Sequence, residues 1–176
     1  MRKYINKNLN EQRMEISTMQ NSNVVKTEHL SIYPLSNSEM ENLIVEELDM
    51  DMKQAYSEML DGCKQNLEQR IWYAIWNMQL NDETGKSVGN LCFKGLNSNG
   101  MVEIGYGIKK EYEGQGYMTE AVSAMARWAS EQIGVNYVEA ETDPDNKASQ
   151  RVLEKTGFRL NGMMGVEGPR YVFKIV

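Results

Sequence analysis

The stretch from Met101 to Phe158 leaves this chain few folds to choose from. It begins with Val102, Ile104, Tyr106 and Ile108 alternating with Glu103, Gly105 and Gly107, the period-two pattern of a strand. A polar turn follows, Glu111-Tyr112-Glu113-Gly114-Gln115-Gly116, and runs directly into a helical pattern. There Met118, Val122, Met125, Ala129 and Ile133 recur at spacings of three or four, Thr119 and Glu120 occupy the first turn, and Gly134 is a natural stop. Tyr137 to Thr142 reads as a second strand, which passes through Asp143-Pro144 into a second helix that Gly157 ends. The order is strand, glycine turn, helix, strand, helix, which predicts an α/β fold with neighbouring parallel strands.

A strand that enters a helix through glycines leaves backbone N–H groups pointing outward at the helix start, where the helix dipole adds partial positive charge. That arrangement binds phosphate without a cationic side chain. Gly114 and Gly116 carry no Cβ to keep an anion away, although a Gly-x-Gly pair alone is equally an ordinary left-handed turn. The second strand ends in another polar turn, Asp145-Asn146-Lys147-Ala148-Ser149. Parallel neighbours deliver such turns to one edge of a sheet, where ligands of open α/β sheets bind. Gly114, Gly116 and Asn146 are therefore expected along one cleft.

With these residues in view, the segment resembles the core of the GNAT superfamily of acetyl-CoA-dependent N-acetyltransferases. That family carries Gln/Arg-x-x-Gly-x-Gly/Ala at a strand-to-helix turn and Asn…Gly-Phe about forty residues on. EIGYGI, GQGYMTEA, the Asn-x-x-Ser run and RVLEKTGF are similar to the branch that includes the ribosomal-protein alanine acetyltransferases. The match is strong over residues 86 to 160 and weaker back to Val24. The resemblance implies an α/β fold (α+β in some schemes): a mixed, splayed central sheet of six to seven strands with helices on both faces.

It also implies the chemistry: acetyl-CoA as donor, no metal, and direct attack by an amine in a ternary complex. The cofactor-binding positions carried over are Ile108, Glu113, Gly114, Gln115, Gly116, Tyr117, Met118, Thr119, Asn146 and Ser149. Splaying of the strands near Gly105 to Ile108 is expected to free backbone groups for the pantetheine arm. The catalytic candidates are Glu103, as the base on the strand leading to the turn, and Ser149, near the sulfur as general acid. Glu141 is a second candidate base, and a solvent-facing or ion-paired strand position is an equal alternative for Glu103. Two positions depart from the pattern. Glu111 stands where the family has Gln or Arg, and Leu153 where many members place the Tyr that protonates the thiolate. Tyr106 and Tyr171 join Ser149 as donors to weigh. A non-catalytic acyl-CoA sensor and a transferase for another acyl-CoA are the alternatives. Relatives in this branch often dimerise, so a homodimer is among the expectations.

Composition narrows the partners. The net charge is −6, and residues 1–28 hold five Lys or Arg against three Glu, so the remainder stands at −8. An acidic body lacks the clustered cations that phosphate backbones need, which excludes nucleic acid and suits a cationic amine: a small amine, antibiotic or polyamine, or a protein N-terminus. No run reaches the roughly eighteen apolar residues of a membrane helix, and the N-terminus carries no apolar stretch like a signal peptide, so a cytoplasmic protein without membrane contact is expected. Cys63 and Cys92 read as reduced thiols, and with His29 as the one histidine a metal site is not expected.

Residues 1–23, rich in Asn, Gln, Ser and charge, read as an extension, disordered or packed on a partner, before one domain over 24–176. Val24 to Leu35 reads as a strand. Ser36 with Glu39 and Ser38 with Glu41 match capping boxes, and a helix should follow. Lys53 to Gln69 reads as another helix; in the family this pair walls the acceptor site. Arg70 to Asn77 reads as a strand, Lys86 to Lys94 as its partner with Val88 and Cys92 on one side, residues 161–169 as a loop, and Tyr171 to Val176 as the last strand. Trp72 and Trp76 read as core.

Overall fold

The structure, a computed structural model, describes residues 23–174. The extension expected over residues 1–23 falls on residues outside that range except for Asn23, as do the last two positions of the expected closing strand.

One eight-stranded sheet organises the chain, in the order β1-β2-β3-β4-β5-β6-β8-β7. The strands are β1 (Val25–Lys26), β2 (Leu30–Pro34), β3 (Ile75–Leu80), β4 (Ser87–Leu96), β5 (Met101–Ile108), β6 (Tyr137–Glu141), β7 (Arg159–Met164) and β8 (Pro169–Lys174). The helices are α1 (Asn37–Glu46), α2 (Met50–Gln65), α3 (Tyr117–Ser130) and α4 (Lys147–Lys155). Neighbouring strands are antiparallel except β5 and β6, which run parallel. That parallel pairing covers only Met101, Val102 and Glu103 against Tyr137, Val138 and Glu139. Beyond Glu103 the two strands separate, so among the described residues the β5 edge from Ile104 to Ile108 has no strand partner on the β6 side. This is the expected splay.

Alternation sorts the side chains between two cores. Trp76, Met78, Leu91, Phe93, Val102, Ile104, Val138 and Ala140 face Met118, Ala121, Val122, Met125, Ala126 and Ala129 of α3. Ile75, next to Trp76 and so on the opposite face, joins Met40, Tyr56, Leu60 and Cys63 of α1 and α2. Helices thus cover both faces, as expected. Burying one Leu, Val or Met side chain contributes about 1.5–3 kcal/mol, so α3, with six buried residues, is anchored by packing and not by propensity. Trp72 and Trp76 are core, packed edge-to-face against Phe93 and Trp128 respectively, and the Trp76 indole N–H donates to the Ile71 carbonyl at 3.1 Å. Among the described residues no helix is long and apolar enough to cross a membrane.

Ser36 caps α1 in the predicted box, its N–H reaching Glu39 Oε2 at 2.7 Å, whereas the Ser38–Glu41 match lies inside the helix. Five readings are corrected. Val24 to Leu35 divides into β1 and β2, because the Thr27 N–H and hydroxyl bond Leu30 and turn the chain. The second helix starts at Met50 under an Asp49 cap and stops at Gln65. Leu67–Trp72 is a 3-10 turn, held where the Arg70 guanidinium donates to the Leu35 carbonyl and Asn37 Oδ1, so the strand begins only at Ile75. An irregularity between Met78 and Gln79 inserts Val88 as an extra residue, which puts Val88 in the core while Cys92 faces the other way. Arg159–Met164 is the edge strand β7 and not a loop; none of its six residues is buried, so no apolar alternation marks it.

Candidate active site

The glycine turn holds the conformation its sequence requires. Gly114 and Gly116 sit at φ 74° and 90°, in the left-handed region, and a Cβ on either would meet nothing within 4 Å. Gly116 is the N-cap of α3, and no side chain caps that helix. The first-turn N–H groups of an α-helix have no intrahelical acceptor, so those of α3 are offered outward. They open on a cleft of about 540 Å³ between α3 and α4. Of the ten expected cofactor-binding residues, Ile108, Glu113, Gly114, Gly116, Met118, Thr119, Asn146 and Ser149 line this cleft. Gln115 and Tyr117 do not. The Gln115 amide donates to the Glu111 carbonyl at 3.0 Å, and the Tyr117 ring lies against His29 and Tyr112.

Arg151 and Lys155 also line the cleft, unanticipated. Their spacing of four along α4 puts them on one helix face, a signal the sequence did contain. At the head of α4, Asn146 Oδ1 accepts from the Ser149 N–H at 3.0 Å, an N-cap that locks the turn. The Ser149 hydroxyl pairs with the Tyr106 hydroxyl at 2.9 Å. Burial pushes the Tyr106 phenol up to about 12, against the opposing bond from Ser149. Leu153 is fully buried in the main core. Tyr171 lines neither this cleft nor the next.

A second cleft, of about 590 Å³, opens on the other face of the sheet beneath α1 and α2. Glu103 lies in it with Gly105 and Gly107, on the side of β5 that alternation assigns. Tyr106, Gly107 and Ile108 line both clefts, so the two meet beside the gap between β5 and β6. Four carboxylates, Glu47, Glu103, Glu141 and Glu167, face two ammonium groups, Lys94 and Lys109, along its lining. Lys94 Nζ bridges Glu103 at 2.5 Å and Glu167 at 3.0 Å. Burial works against the Lys94 ammonium, but those two bonds outweigh it and hold Lys94 above its usual value.

Glu141 is engaged more fully, by Arg170 and by the Glu167 N–H at 3.0 Å. Burial pushes its carboxyl up, yet the Glu167 N–H and the Arg170 guanidinium more than offset this and hold it below the usual range. Arg170 also bonds Glu139 at 2.9 Å. Cys92 faces the same cleft, and burial raises its thiol to about 11, so it stays protonated. Among the described residues no three His, Cys, Asp or Glu side chains gather as a metal site.

A family model described as an acetyltransferase (GNAT) domain matches residues 25–159, well over half of the chain. The chain belongs to the GNAT acetyltransferase family. An uncharacterized N-acetyltransferase of Bacillus subtilis, YjdG, is 40% identical over 75 residues, 42% of this chain and 45% of that protein. The chain spans about half the length, or less, of the curated relatives it matches. Among solved structures, an acetyltransferase of Salmonella typhimurium that modifies the N-terminal serine of ribosomal protein L7/L12 superposes with a TM-score of 0.67 at 16% identity, over 87% of this chain and 99% of that one. The microcin C7 self-immunity acetyltransferase MccE, solved with acetyl-CoA and AMP, gives 0.65 at 15% identity over 85% and 94%. At these identities the superpositions establish the GNAT fold.

Proposed function

We propose that this protein transfers the acetyl group of acetyl-CoA to a primary amine by direct attack. The observation that carries this reading is the meeting of the two clefts at Tyr106, Gly107 and Ile108, one furnished for an anionic donor and the other for a cationic acceptor. The donor cleft fits acetyl-CoA on three counts. The uncapped start of α3 and the left-handed Gly114 and Gly116 suit a pyrophosphate, with the backbone from Glu113 to Thr119 as its cradle. The unpaired β5 edge up to Ile108 suits an amide-bearing arm, as in strand addition. Asn146 and Ser149 close the far side from α4. Bound there, acetyl-CoA supplies an acetyl group activated as a thioester.

Glu103 acts as base, directly or through a water: it takes one proton from the bound ammonium, and the neutral amine then forms the nitrogen–carbon bond as the carbon–sulfur bond breaks, its second proton passing to water. Ser149 stands at the donor cleft to return a proton to sulfur. The ion pair with Lys94 holds the Glu103 carboxylate in place inside the cleft. The excess of carboxylates selects a cationic acceptor, a polyamine, another small amine or a protein N-terminus. One feature favours a second reading. Leu153 fills the usual Tyr position with core, as expected of a module that binds acyl-CoA without turnover.

A thermal-shift titration with acetyl-CoA, followed by a free-thiol assay across amines, separates these. Acetyl-CoA at about 100 times its Kd adds about 2.7 kcal/mol, which raises the melting temperature by roughly 5–11 °C. A shift with thiol release on amine addition is the expected result. A shift without release in the whole panel favours the silent module, and no shift with any acyl-CoA refutes the family chemistry for this chain.

A further inference from the structure

We propose that Tyr106, acting through the Ser149 hydroxyl, supplies the proton that the departing sulfur takes up; this rests on the acetyltransferase reading above. The Leu153 side chain has no acidic hydrogen and is sealed in the core, so the donor is elsewhere. Tyr171 lines neither cleft. Tyr106 lines both clefts where they meet, and its hydroxyl lies 2.9 Å from Ser149 Oγ and 3.4 Å from the Ser149 carbonyl. The Asn146 cap fixes the turn that carries Ser149, so the pair is held before any ligand arrives. A serine alone is a poor acid. Either hydroxyl of the pair can donate; with the phenol as donor, the serine oxygen gives up its proton and regains one at once.

Ser149 Oγ gives its proton to sulfur as the carbon–sulfur electron pair departs with that sulfur. Tyr106 Oη gives its proton to Ser149 Oγ, and the phenolate takes a proton from water at the cleft mouth. Burial keeps Tyr106 protonated, so the proton is in place when the carbon–sulfur bond begins to break.

The test uses the full chain with Tyr106→Phe, Ser149→Ala and both together. Thiol release from acetyl-CoA is followed with the best amine of the panel and with water as acceptor. Tyr106→Phe should lower kcat by about 10- to 100-fold and change the KM for acetyl-CoA by less than about twofold, within the range of general-acid effects. The double variant should lose no more than Ser149→Ala alone, since residues acting as one unit are not additive. A binding readout stands apart from turnover: wild type should bind CoA more tightly than desulfo-CoA, and Ser149→Ala should lose that preference. Wild-type kcat in Tyr106→Phe, multiplying effects in the double variant, or equal affinity of wild type for CoA and desulfo-CoA would overturn the relay. Failure of acetyl-CoA to stabilise wild type would instead overturn the reading beneath it.

Discussion

Replacing Gly116 by Ala isolates the anion cradle from the rest of the fold. Gly116 caps α3 at φ 90°, ψ −13°, and a Cβ there meets nothing within 4 Å, so packing does not oppose the methyl group. The cost is conformational. An L-residue in the left-handed region loses about 1–2 kcal/mol, which for a chain of this size lowers the melting temperature by roughly 2–8 °C. The same methyl would occupy open space in the donor cleft that Gly116 lines, where the pyrophosphate is proposed to lie. The acetyl-CoA increment of about 2.7 kcal/mol at 100 times Kd should therefore fall to less than about half. Gly162→Ala is the control: Gly162 sits at φ 81° with nothing within 4 Å of its Cβ, on β7 and outside both clefts. It should lower the melting temperature by a similar amount and keep the full increment. Scanning fluorimetry of both variants with and without acetyl-CoA decides the matter. If Gly116→Ala keeps the wild-type increment, the backbone-cradle argument is wrong.

The remaining predictions address the acceptor side and the seam between β2 and α3. Glu103→Gln should reduce kcat/KM for the amine by about 10²- to 10⁴-fold while the acetyl-CoA melting increment stays at wild type; a variant with unchanged turnover removes Glu103 as base. Gly165→Ala would push a methyl into the Glu141 carboxylate, which is only 4% exposed and held by Arg170 and the Glu167 N–H. It should cost about 1–3 kcal/mol and raise the KM for a cationic acceptor, and unchanged thermal unfolding would show that this network yields freely. Glu120 of α3 accepts from the His29 N–H at 2.8 Å and faces its ring nitrogen at 2.9 Å. The bond to Glu120 raises His29 above 6.5, so its contribution is full below pH 6.5 and lost as pH rises through the folded value. Burial pushes Glu120 up, but bonds from Thr27 and His29 outweigh it and hold it below 4.5, so its share is lost as pH falls through that lower value. The melting-temperature difference between wild type and His29→Gln should peak between pH 4.5 and 6.5, and a difference independent of pH contradicts the pairing.

What the sequence made legible is what neighbouring residues build. The β5 alternation, the turn at Gly114 and Gly116, the periodicity of α3 and the Asn146 cap are each set within a few residues, and eight of the ten cofactor positions read this way line one cleft. Gln115 and Tyr117 fell outside because the Gln115 amide turns back to the Glu111 carbonyl and the Tyr117 ring packs against His29 and Tyr112. The acceptor side has no such local signature. Lys94 meets Glu167 across 73 positions and Arg170 meets Glu139 across 31, so only strand order and register bring them together. The strand at Arg159–Met164 escaped for a different reason: the amphipathic pattern that identifies strands records burial, and an edge strand that buries nothing leaves no such record.

The same reasoning bears on Leu153, the family position that this chain fills differently. Ala148, Arg151, Val152 and Lys155 line the donor cleft from α4, whereas Leu153 is turned into the core with no exposed surface. A tyrosine there would have to be packed into space a leucine already fills, at about 1–3 kcal/mol for overpacking. Restoring the family's side chain at that site would therefore distort the core before it delivered a hydroxyl. Of the hydroxyls this chain presents at the cleft, those of Ser149 in the first turn of α4 and Tyr106 on β5 already touch. A proton donor for the thiolate is thus met by two residues on two elements, in place of one residue on one helix.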